Sequence, residues 1–511
     1  MHSLWKFVVL TACVFLAGCG QAEKSHQAPG RLRVEPLPVQ QAKAYGETVT
    51  GLFVSLADFE PAPSGPGGHE QVNHFSIRPG DAEGRCRFVV NITRTGTGAM
   101  EVTLAPKAEL VFTIPHLHNF TGYTLLSMAL HSETLRDDLR LKLTTETLSF
   151  SSHRMLVRPG WNNVLVDIHR MAEAPNFDAT AVKTLRIVFA DATGPVVFHL
   201  DDIMLIDNGR QIKPTPPGIT LRKVGLDYTL RFERPAESWE LLQHADGLWR
   251  FSRHQPVIQL AGPGQALPAD GEQMEQMGRR RLGQVEILEH NTVRLRLANT
   301  WYFPTRAGQW ASMAVRRIRW EHSFYADGRR LTHLELNNAG GKPIHSVRIA
   351  FDEPVAWFGH GRAKQLVVED FTGPVGRWDC LAAPHEGRGE LMEANYLNPG
   401  RLKRAITEAG TFADGDHDRD GFDQSQGCYF IAACAGHCRF SILPPPEGLL
   451  DPTFRVVGQW RQAVYANSEG LAIRKVVSLP DGSVLFVLPG WIKRPTAIEV
   501  SGKVPFLPEK K

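Results

Sequence analysis

Acidic side chains recur at alternate positions in the run DHDRDGFD. Asp416, Asp418 and Asp420 alternate with other residues, Gly421 follows them, and Asp423 comes two positions later. Hard cations such as Ca²⁺ bind carboxylate oxygens, and a tight turn can direct several alternate carboxylates toward one point. The run therefore predicts a calcium site formed by the four aspartates. The alternative is a solvated turn in which they accept hydrogen bonds from nearby backbone N–H groups.

The rest of this loop departs from the calcium loops that lie between two helices. With Asp416 at position 1, the glycine falls at position 6, as in those loops, but position 12 is Gly427, which has no carboxylate. The following segment CYFIAA has the composition of a strand. The predicted ion would therefore be structural, on a β scaffold, with another segment supplying the remaining oxygen ligands.

Aromatic side chains cluster in WYFPTRAGQW, residues 301–310. Aromatic faces stack on the C–H faces of sugar rings, and the Pro and Gly in this segment predict a loop, where binding residues are commonly found. Trp301, Tyr302 and Trp310 are therefore candidate ligand-binding residues. The alternative is that they fill a core, as large aromatics more often do.

Catalytic chemistry is harder to assign. A polysaccharide lyase needs a base near an arginine that neutralises a carboxylate, and His360 with Arg362 could serve; surface or structural histidine is the alternative. The chain contains no G-x-S-x-G, H-E-x-x-H, phosphate-loop or dinucleotide-binding motif. The catalytic residues, if any, stay unassigned.

The N-terminal segment, residues 1–19, has the pattern of a signal peptide. Lys6 precedes an apolar run from Phe7 to Ala17 that is too short to span a bilayer as a helix. The run ends in LAGC, which resembles the bacterial lipobox and implies that Cys19 is acylated and becomes the mature N-terminus. Gly20, rather than Asp, follows, which favours the outer membrane. Attachment of more than one acyl chain gives stable anchoring.

Five cysteines remain after the signal peptide and the lipobox cysteine: Cys86, Cys380, Cys428, Cys434 and Cys438. An odd number cannot pair completely. The C-x5-C-x3-C spacing of the last three lacks the paired CxxC knuckles typical of zinc sites, so a disulfide in an oxidising compartment is favoured over zinc.

Length and charge limit the class of protein. The chain has 511 residues, which predicts more than one domain. Its 57 basic and 54 acidic residues nearly cancel, which argues against a nucleic-acid-binding protein driven by bulk charge.

The elements that must position these residues are strands. Residues 20–45 are polar and predict a flexible tether. Short apolar-rich runs separated by turn residues fill 46–208 and predict a jelly-roll sandwich. The Pro-rich segment 209–218 predicts a linker, and 219–505 predict a large antiparallel β-sandwich with DG hairpins in YADGRRLTHLEL and SLPDGSVLFVL. The expected fold class is therefore all-β.

Four motifs in 46–208 occur in a recognisable order: LADFEPAP, AMEVTLA, RPGWNNVLVDI and VVFHLDDIMLID. Together they resemble the galactose-binding-like β-sandwich of many carbohydrate-binding modules. The resemblance implies that the first and last strands lie side by side and can hold a structural calcium, with Glu60 and Asp202 as the acidic residues by motif position. The alternative is that both carboxylates cap loops without a metal.

A second resemblance covers about fifty residues, VRLRLANTWYFP and RRIRWEHSFYADGRRLTHLELNN. These segments resemble the supersandwich domains of sugar mutarotases and polysaccharide lyases, but no catalytic motif of those enzymes aligns with this chain.

The sequence as a whole predicts a lipid-anchored protein of the cell envelope that binds extracellular polysaccharide without catalysis. One alternative is a polysaccharide-active enzyme, a lyase or hydrolase with its site in 219–505. A second is a structural envelope protein. Glycan and membrane are the expected partners, with calcium as a structural cofactor.

Overall fold

A computed structural model describes residues 35–36, 51–60, 68–79, 84–172, 177–233, 236–244, 248–267, 282–303, 316–338, 343–371, 373–383, 388–404, 413, 415–432, 436–458, 460, 464–469, 471–473 and 475–502. Strands account for 57% of the structure and helices for 6%, which confirms the all-β prediction. The chain divides into two compact units, one composed of Met1–Glu133, Asp138–Ser152 and Arg158–Asn208 and the other of Thr134–Asp137, His153–Val157 and Gly209–Lys511.

Up to residue 208 the strands are β1 (Glu35–Pro36), β2 (Leu52–Ala57), β3 (Phe75–Arg78), β4 (Gly84–Val89), β5 (Ala99–Leu104), β6 (Glu109–Thr113), β7 (Leu125–Ser132), β8 (Arg136–Thr144), β9 (Ser149–Ser151), β10 (Met155–Val157), β11 (Gly160–Asp167), β12 (Thr184–Phe189) and β13 (Val196–Asp207). Short helices are α1 (Gly68–Gln71), a 3₁₀ turn (Val72–His74) and α2 (Ile168–Ala172).

The first unit is a two-sheet sandwich. One sheet has the order β1-β2-β13-β5-β4, with β7 between β13 and β11, and the other contains β8, β12, β6 and β3 in that order. Alternation sends Leu139, Leu141 and Leu143 of β8 into the core. Phe189 of β12 and Phe198 of β13 meet at 5.3 Å, so the two sheets pack face to face.

After residue 208 the strands are β14 (Arg210–Ile212), β15 (Ile219–Val224), β16 (Asp227–Glu233), β17 (Ala236–Gln243), β18 (Trp249–Phe251), β19 (Val257–Ala261), β20 (Leu282–His290), β21 (Arg294–Phe303), β22 (Arg316–Tyr325), β23 (Arg330–Asn337), β24 (Ser346–Trp357), β25 (Gly361–Val368), β26 (Val375–Ala382), β27 (Arg401–Arg404), β28 (Phe422–Asp423), β29 (Cys428–Ala432), β30 (His437–Leu443), β31 (Leu449–Leu450), β32 (Thr453–Val457), β33 (Tyr465–Ser468), β34 (Leu471–Ile473), β35 (Val476–Ser478), β36 (Val484–Val487), β37 (Trp491–Ile492) and β38 (Thr496–Ser501). The helix of this unit is α3 (Gly389–Leu397).

The second unit is built around an eight-stranded sheet of order β19-β24-β26-β23-β22-β21-β20, with β25 beside β24. A five-stranded meander, β14 to β18, packs on it where Phe232 and Trp239 contact Phe324 at 5.6 and 5.7 Å. Further sheets have the orders β27-β30-β38-β33-β34, β28-β29-β32-β36-β35 and β31-β37.

The structure bears on three local predictions, which concern the DG hairpins, the linker and the direction of the strands. Both DG hairpins form, as β22–β23 and β35–β36, with Gly328 and Gly482 at φ 90° and 80°. The segment 209–218, expected as a linker, contributes β14 to the meander. The pair β29–β32 is parallel, so the second unit is not antiparallel throughout.

Among the helices of the described residues, none has the length and apolar composition that crossing a membrane requires.

Candidate functional site

A row of polar and aromatic side chains crosses the seven-stranded sheet of the first unit. Each of its residues is the cross-strand partner of the next: Arg87 on β4, Glu101 on β5, His199 on β13, His131 on β7 and Trp161 on β11. Cross-strand partners share one face of a sheet, so all five side chains lie on the face opposite the sandwich core. We call this row the polar strip.

The chemistry of the strip changes from a charged pair at one end to an indole ring at the other. Arg87 Nε and Nη2 donate to the Glu101 carboxylate at 2.6 and 2.8 Å, and this hydrogen-bonded pair holds the pKa of Glu101 below its usual range. His199 Nε2 lies 3.6 Å from Glu101, but burial lowers the pKa of its imidazole. The ring of His131 lies 5.6 Å from that of His199 and 5.3 Å from that of Trp161. A charged pair, two imidazoles and an indole therefore form one line, which is exposed at Arg87 and buried at His199, whose side chain is 7% exposed.

Next to the strip, β13 contains a bulge at the point where its neighbouring strand changes. The bulge carries two carboxylates, Asp201 and Asp202. Residues 196–200 pair with β5 and 203–207 with β2, and between them Asp202 has a φ of 47°. Asp201 accepts hydrogen bonds from the backbone N–H of Arg94 and Thr95, and the Thr95 hydroxyl donates to Asp202 at 2.7 Å. Burial and the adjacent Asp202 raise the pKa of Asp201 to about 8. Both carboxylates therefore hold the loop before β5.

Glu60 holds the same loop from the other side. Its carboxylate accepts hydrogen bonds from the N–H of Thr97 at 2.7 Å, the Thr97 hydroxyl at 2.9 Å and the N–H of Gly98 at 2.9 Å. Glu60 and Asp202 thus bond to the same loop, and their role as calcium ligands stays a prediction.

The loop 415–423 gathers three of its four predicted ligands. Carboxylate oxygens of Asp416, Asp418 and Asp420 lie within 4.8 Å of one another. The fourth, Asp423, is buried and accepts hydrogen bonds from the Ser425 hydroxyl and from Gln426. Burial, together with the neighbouring aspartates, raises the pKa of Asp420 to about 6. The geometry of the three clustered carboxylates suits a divalent cation.

The same loop brings His417 to the buried carboxylate of Asp379, which also bonds His333; we call these three residues the Asp379 relay. His417 Nε2 lies 2.5 Å from Asp379 Oδ2, and His333 Nδ1 lies 2.7 Å from Asp379 Oδ1. His333 on β23 and Asp379 on β26 are cross-strand partners. Burial would raise the pKa of Asp379, but its hydrogen bonds to both histidines hold it below the usual range. Hydrogen bonding to Asp379 raises the pKa of His417, and for His333 it outweighs the opposing effect of burial.

His333 opens onto a cleft of about 460 Å³ on the polar face of the eight-stranded sheet, which we call the polar cleft. Its charged lining residues are Arg296, Glu321, His333, Glu335, Arg377, Asp423 and Arg455. Glu321 is paired with Arg296 and Arg319 at 2.7 and 2.8 Å, and Glu335 with Arg317 and Arg377. These arginines outweigh the effect of burial and lower the pKa of both glutamates.

Trp301, one of the predicted ligand-binding aromatics, is buried. Trp301 is in strand β21, not in a loop, and is 4% exposed: its Nε1 donates to the Trp249 carbonyl, and its ring meets Trp320 at 4.2 Å. It fills the core because alternation along β21 places Trp301 and Phe303 on the same buried face. Tyr302 is half-buried on the same strand. Trp310 and the lipobox Cys19 lie outside the described residues.

The structure also places residues of two other predictions, the His360–Arg362 pair and the cysteine cluster. His360 sits in a turn and Arg362 lies 3.5 Å from Glu393, so the polar cleft is built from other residues. Cys428 is a fully buried free thiol whose Sγ lies 3.9 Å from Arg294, while Cys434 lies outside the described residues.

Sequence reasoning missed both the polar strip and the Asp379 relay. The strip had a local signal, because His131, Trp161 and His199 each interrupt a strand-like run, but no spacing linked them. Asp379 follows a tryptophan in an unremarkable strand.

No protein-family model matches the chain, and no curated protein matches it. Among solved structures it is similar to a family 11 carbohydrate-binding module from Clostridium thermocellum in complex with a β-1,3-1,4-mixed-linked tetrasaccharide, at 13% identity over 30% of this chain and 95% of the module, with a TM-score of 0.23. It is similar to a family 30 carbohydrate-binding module at 14% identity over 32% of this chain and 91% of the module, with a TM-score of 0.24. An agarase is similar at 11% identity over 30% of this chain and 26% of the agarase, with a TM-score of 0.23.

Proposed function

We propose that this chain is a lipid-anchored protein of the cell envelope that binds extracellular polysaccharide through the polar strip. The observation that carries the proposal is the register that aligns Trp161, His131, His199, Glu101 and Arg87 across five strands of one sheet face.

The chemistry of the strip fits a sugar chain. Sugar rings present apolar C–H faces, which pack on an indole, and hydroxyls, which both donate and accept hydrogen bonds. Neighbouring strands lie about 4.8 Å apart, so the five positions span about 19 Å. That length matches several sugar units of an extended chain lying across the sheet.

A glycan array on the soluble fragment from residue 46 tests this function. Trp161→Ala is expected to weaken binding of the selected glycan by tenfold or more, about 1.4 kcal/mol, while Trp161→Phe retains most of it. A thermal melt of each variant confirms that it is folded. Unchanged binding by Trp161→Ala, or no glycan bound by the parent fragment, would exclude the strip as the site.

The proposal includes the anchor and the ion. Acylation of Cys19 would hold the protein on the membrane, in the outer membrane facing the periplasm or the exterior, with 20–45 as a tether. Calcium at Asp416, Asp418 and Asp420 would be structural, and Glu60 with Asp202 would form a second structural site.

A second candidate function is a polysaccharide-active enzyme, and the polar cleft favours it. Asp379 fixes the ring of His333 and leaves its Nε2 as a proton-transfer group beside Arg296 and Arg377. Both cleft glutamates are held ionised by arginines, so neither suits the general-acid role of a hydrolase. Proton abstraction next to a sugar carboxylate, as in a lyase, fits the cleft better than hydrolysis.

Depolymerisation of uronic-acid polymers, followed by the absorbance of unsaturated products, tests this alternative. A lyase should lose at least a hundredfold in rate with His333→Gln. Glycan binding without unsaturated products would leave the non-catalytic function as the role of the protein.

A further inference from the structure

The second unit contains a larger cleft, of about 880 Å³, that is separate from the polar cleft and has a different lining. It lies between the β22–β23 turn, the β33–β34 hairpin and β37. We call it the Trp491 cleft. Its volume is within the range of pockets that enclose a small organic ligand.

Part of the wall of the Trp491 cleft is aliphatic. The aliphatic residues are Val293, Ala326, Ile473, Val487, Leu488, Pro489 and Ile492. Val293 and Leu488 belong to the core on their far side, and Ile473, Val487 and Ile492 are half-buried against that core. A contiguous apolar surface inside a concavity indicates a ligand with an apolar body.

Trp491 stands in this cleft with 53% of its surface exposed, and its orientation is fixed. Its Nε1 donates to the Glu447 carbonyl at 2.9 Å. Gly448 lies against the indole so closely that a Cβ there would come within 2.4 Å of Nε1, and its φ of 85° also favours glycine. A large, exposed aromatic held in one orientation is an arrangement that binding sites use, because little entropy is lost when a ligand packs on it.

The charged groups of the cleft divide into engaged carboxylates and available ammonium groups. Asp327 pairs with Arg329 at 2.7 Å, Glu469 pairs with Arg494 at 3.0 Å, and Asp451 accepts a hydrogen bond from the N–H of Gly490 at 2.6 Å.

The two lysines of the lining, Lys475 and Lys493, have no carboxylate within 4.0 Å among the described residues. The Nζ of Lys493 lies 3.6 Å from the centre of the Trp491 ring, so one ammonium sits directly beside the apolar surface. The charged groups of the lining that have no partner of opposite charge among the described residues are therefore cationic.

We propose that the Trp491 cleft binds an anionic amphiphile, a molecule with a hydrocarbon body and a single anionic head group. The body would pack on the aliphatic wall and the indole, and the head would pair with Lys475 and Lys493. A neutral sugar fits less well, because it brings no negative charge to pair with Lys475 and Lys493. This site is independent of the polar strip and does not rest on the polysaccharide function.

Isothermal titration with dodecanoate below its micelle concentration tests the proposal. Dodecyl maltoside supplies the same chain with a neutral head group, and trigalacturonate supplies anionic groups without a hydrocarbon body. Dodecanoate should bind at least tenfold more tightly than either. The double variant Lys475→Gln/Lys493→Gln should weaken dodecanoate binding by about tenfold or more, since each tenfold corresponds to about 1.4 kcal/mol.

The matched control is Lys364→Gln, which removes an exposed lysine of β25 in the same unit and should leave the affinity unchanged. A thermal melt shows that each variant is folded. Equal binding of dodecanoate and dodecyl maltoside would overturn the charge preference. Tighter binding of trigalacturonate than of dodecanoate, or no dodecanoate binding, would overturn the amphiphile site altogether.

Discussion

Asp379 bonds the histidine that lines the polar cleft, and its carboxylate, almost completely buried, serves two histidines. Its oxygens lie 2.7 and 2.5 Å from His333 and His417. A buried carboxylate is tolerated when positive partners and hydrogen bonds compensate its lost hydration.

Replacing Asp379 by Asn should therefore destabilise the second unit by about 3 kcal/mol near pH 6. The pKa of both histidines is raised in the folded protein, so their contribution is fully present below their unfolded pKa of about 6.5 and is lost as the pH rises through the folded values. The penalty should shrink above that range. Urea unfolding at pH 6 and pH 8.5 measures it.

The matched control is Asp370→Asn, which breaks an exposed His–Asp contact with His345 at 3.3 Å. An exposed pair contributes little, so the change should cost less than about 1 kcal/mol. Equal costs for the two substitutions would contradict a relay that depends on burial.

His322 lies in an apolar core, and its pKa changes in the direction opposite to that of His333 and His417. It packs against Phe251 at 4.8 Å and contacts Phe324, and burial lowers its pKa to about 3. The unfolded chain binds a proton at pH values where the folded protein does not, so stability should fall as the pH drops below about 6.5. The expected slope from this group is about 1.4 kcal/mol per pH unit.

The variant His322→Phe should reduce the acid dependence of the free energy of unfolding between pH 6.5 and 4.5. Urea titrations at several pH values give this slope for both proteins. An unchanged slope would mean that His322 takes up its proton in the folded state.

At the scale of elements, one loop serves two purposes. The segment 415–423 clusters Asp416, Asp418 and Asp420 and also carries His417 to Asp379. If calcium binds the three carboxylates, it stabilises the folded state by mass action.

A chelator should then lower the midpoint of thermal unfolding by several degrees, and added Ca²⁺ should restore it. Asp418→Asn is expected to reduce the response to Ca²⁺, whereas Asp352→Asn, on β24, should retain it. An unchanged midpoint with chelator would remove calcium from the proposal.

The bulge in β13 is the second informative element. A strand that changes neighbour from β5 to β2 leaves a gap, and Asp201 and Asp202 occupy it. Their hydrogen bonds to the loop before β5 place that loop beside the polar strip.

At the scale of the whole molecule, the proposed anchor determines where both units act. Cys19→Ser should abolish acylation, so the protein should move from the detergent phase to the aqueous phase in a phase-separation assay. Glycan binding by the strip should be unaffected, since the substitution lies outside it. Retention in the detergent phase would show that another feature attaches the protein to the membrane.

The all-β class, the two DG hairpins and the clustering of aspartates in 415–423 could be predicted before folding was considered, because each follows from residues that are close along the chain. Alternation buries Leu139, Leu141 and Leu143, and glycine supplies the positive φ of each turn.

Which side chains meet depends on long-range packing. The polar strip joins Arg87 to Trp161 through strands far apart in sequence, and the relay joins His333 to His417 through Asp379. The alternation of side chains along a strand shows which face of the sheet each one occupies. It does not show which strand lies beside it or in which register. The choice of neighbour and register depends on how two sheets bury their apolar faces against each other. The local pattern therefore predicted Trp301 in a binding loop, whereas the structure packs it against Trp320.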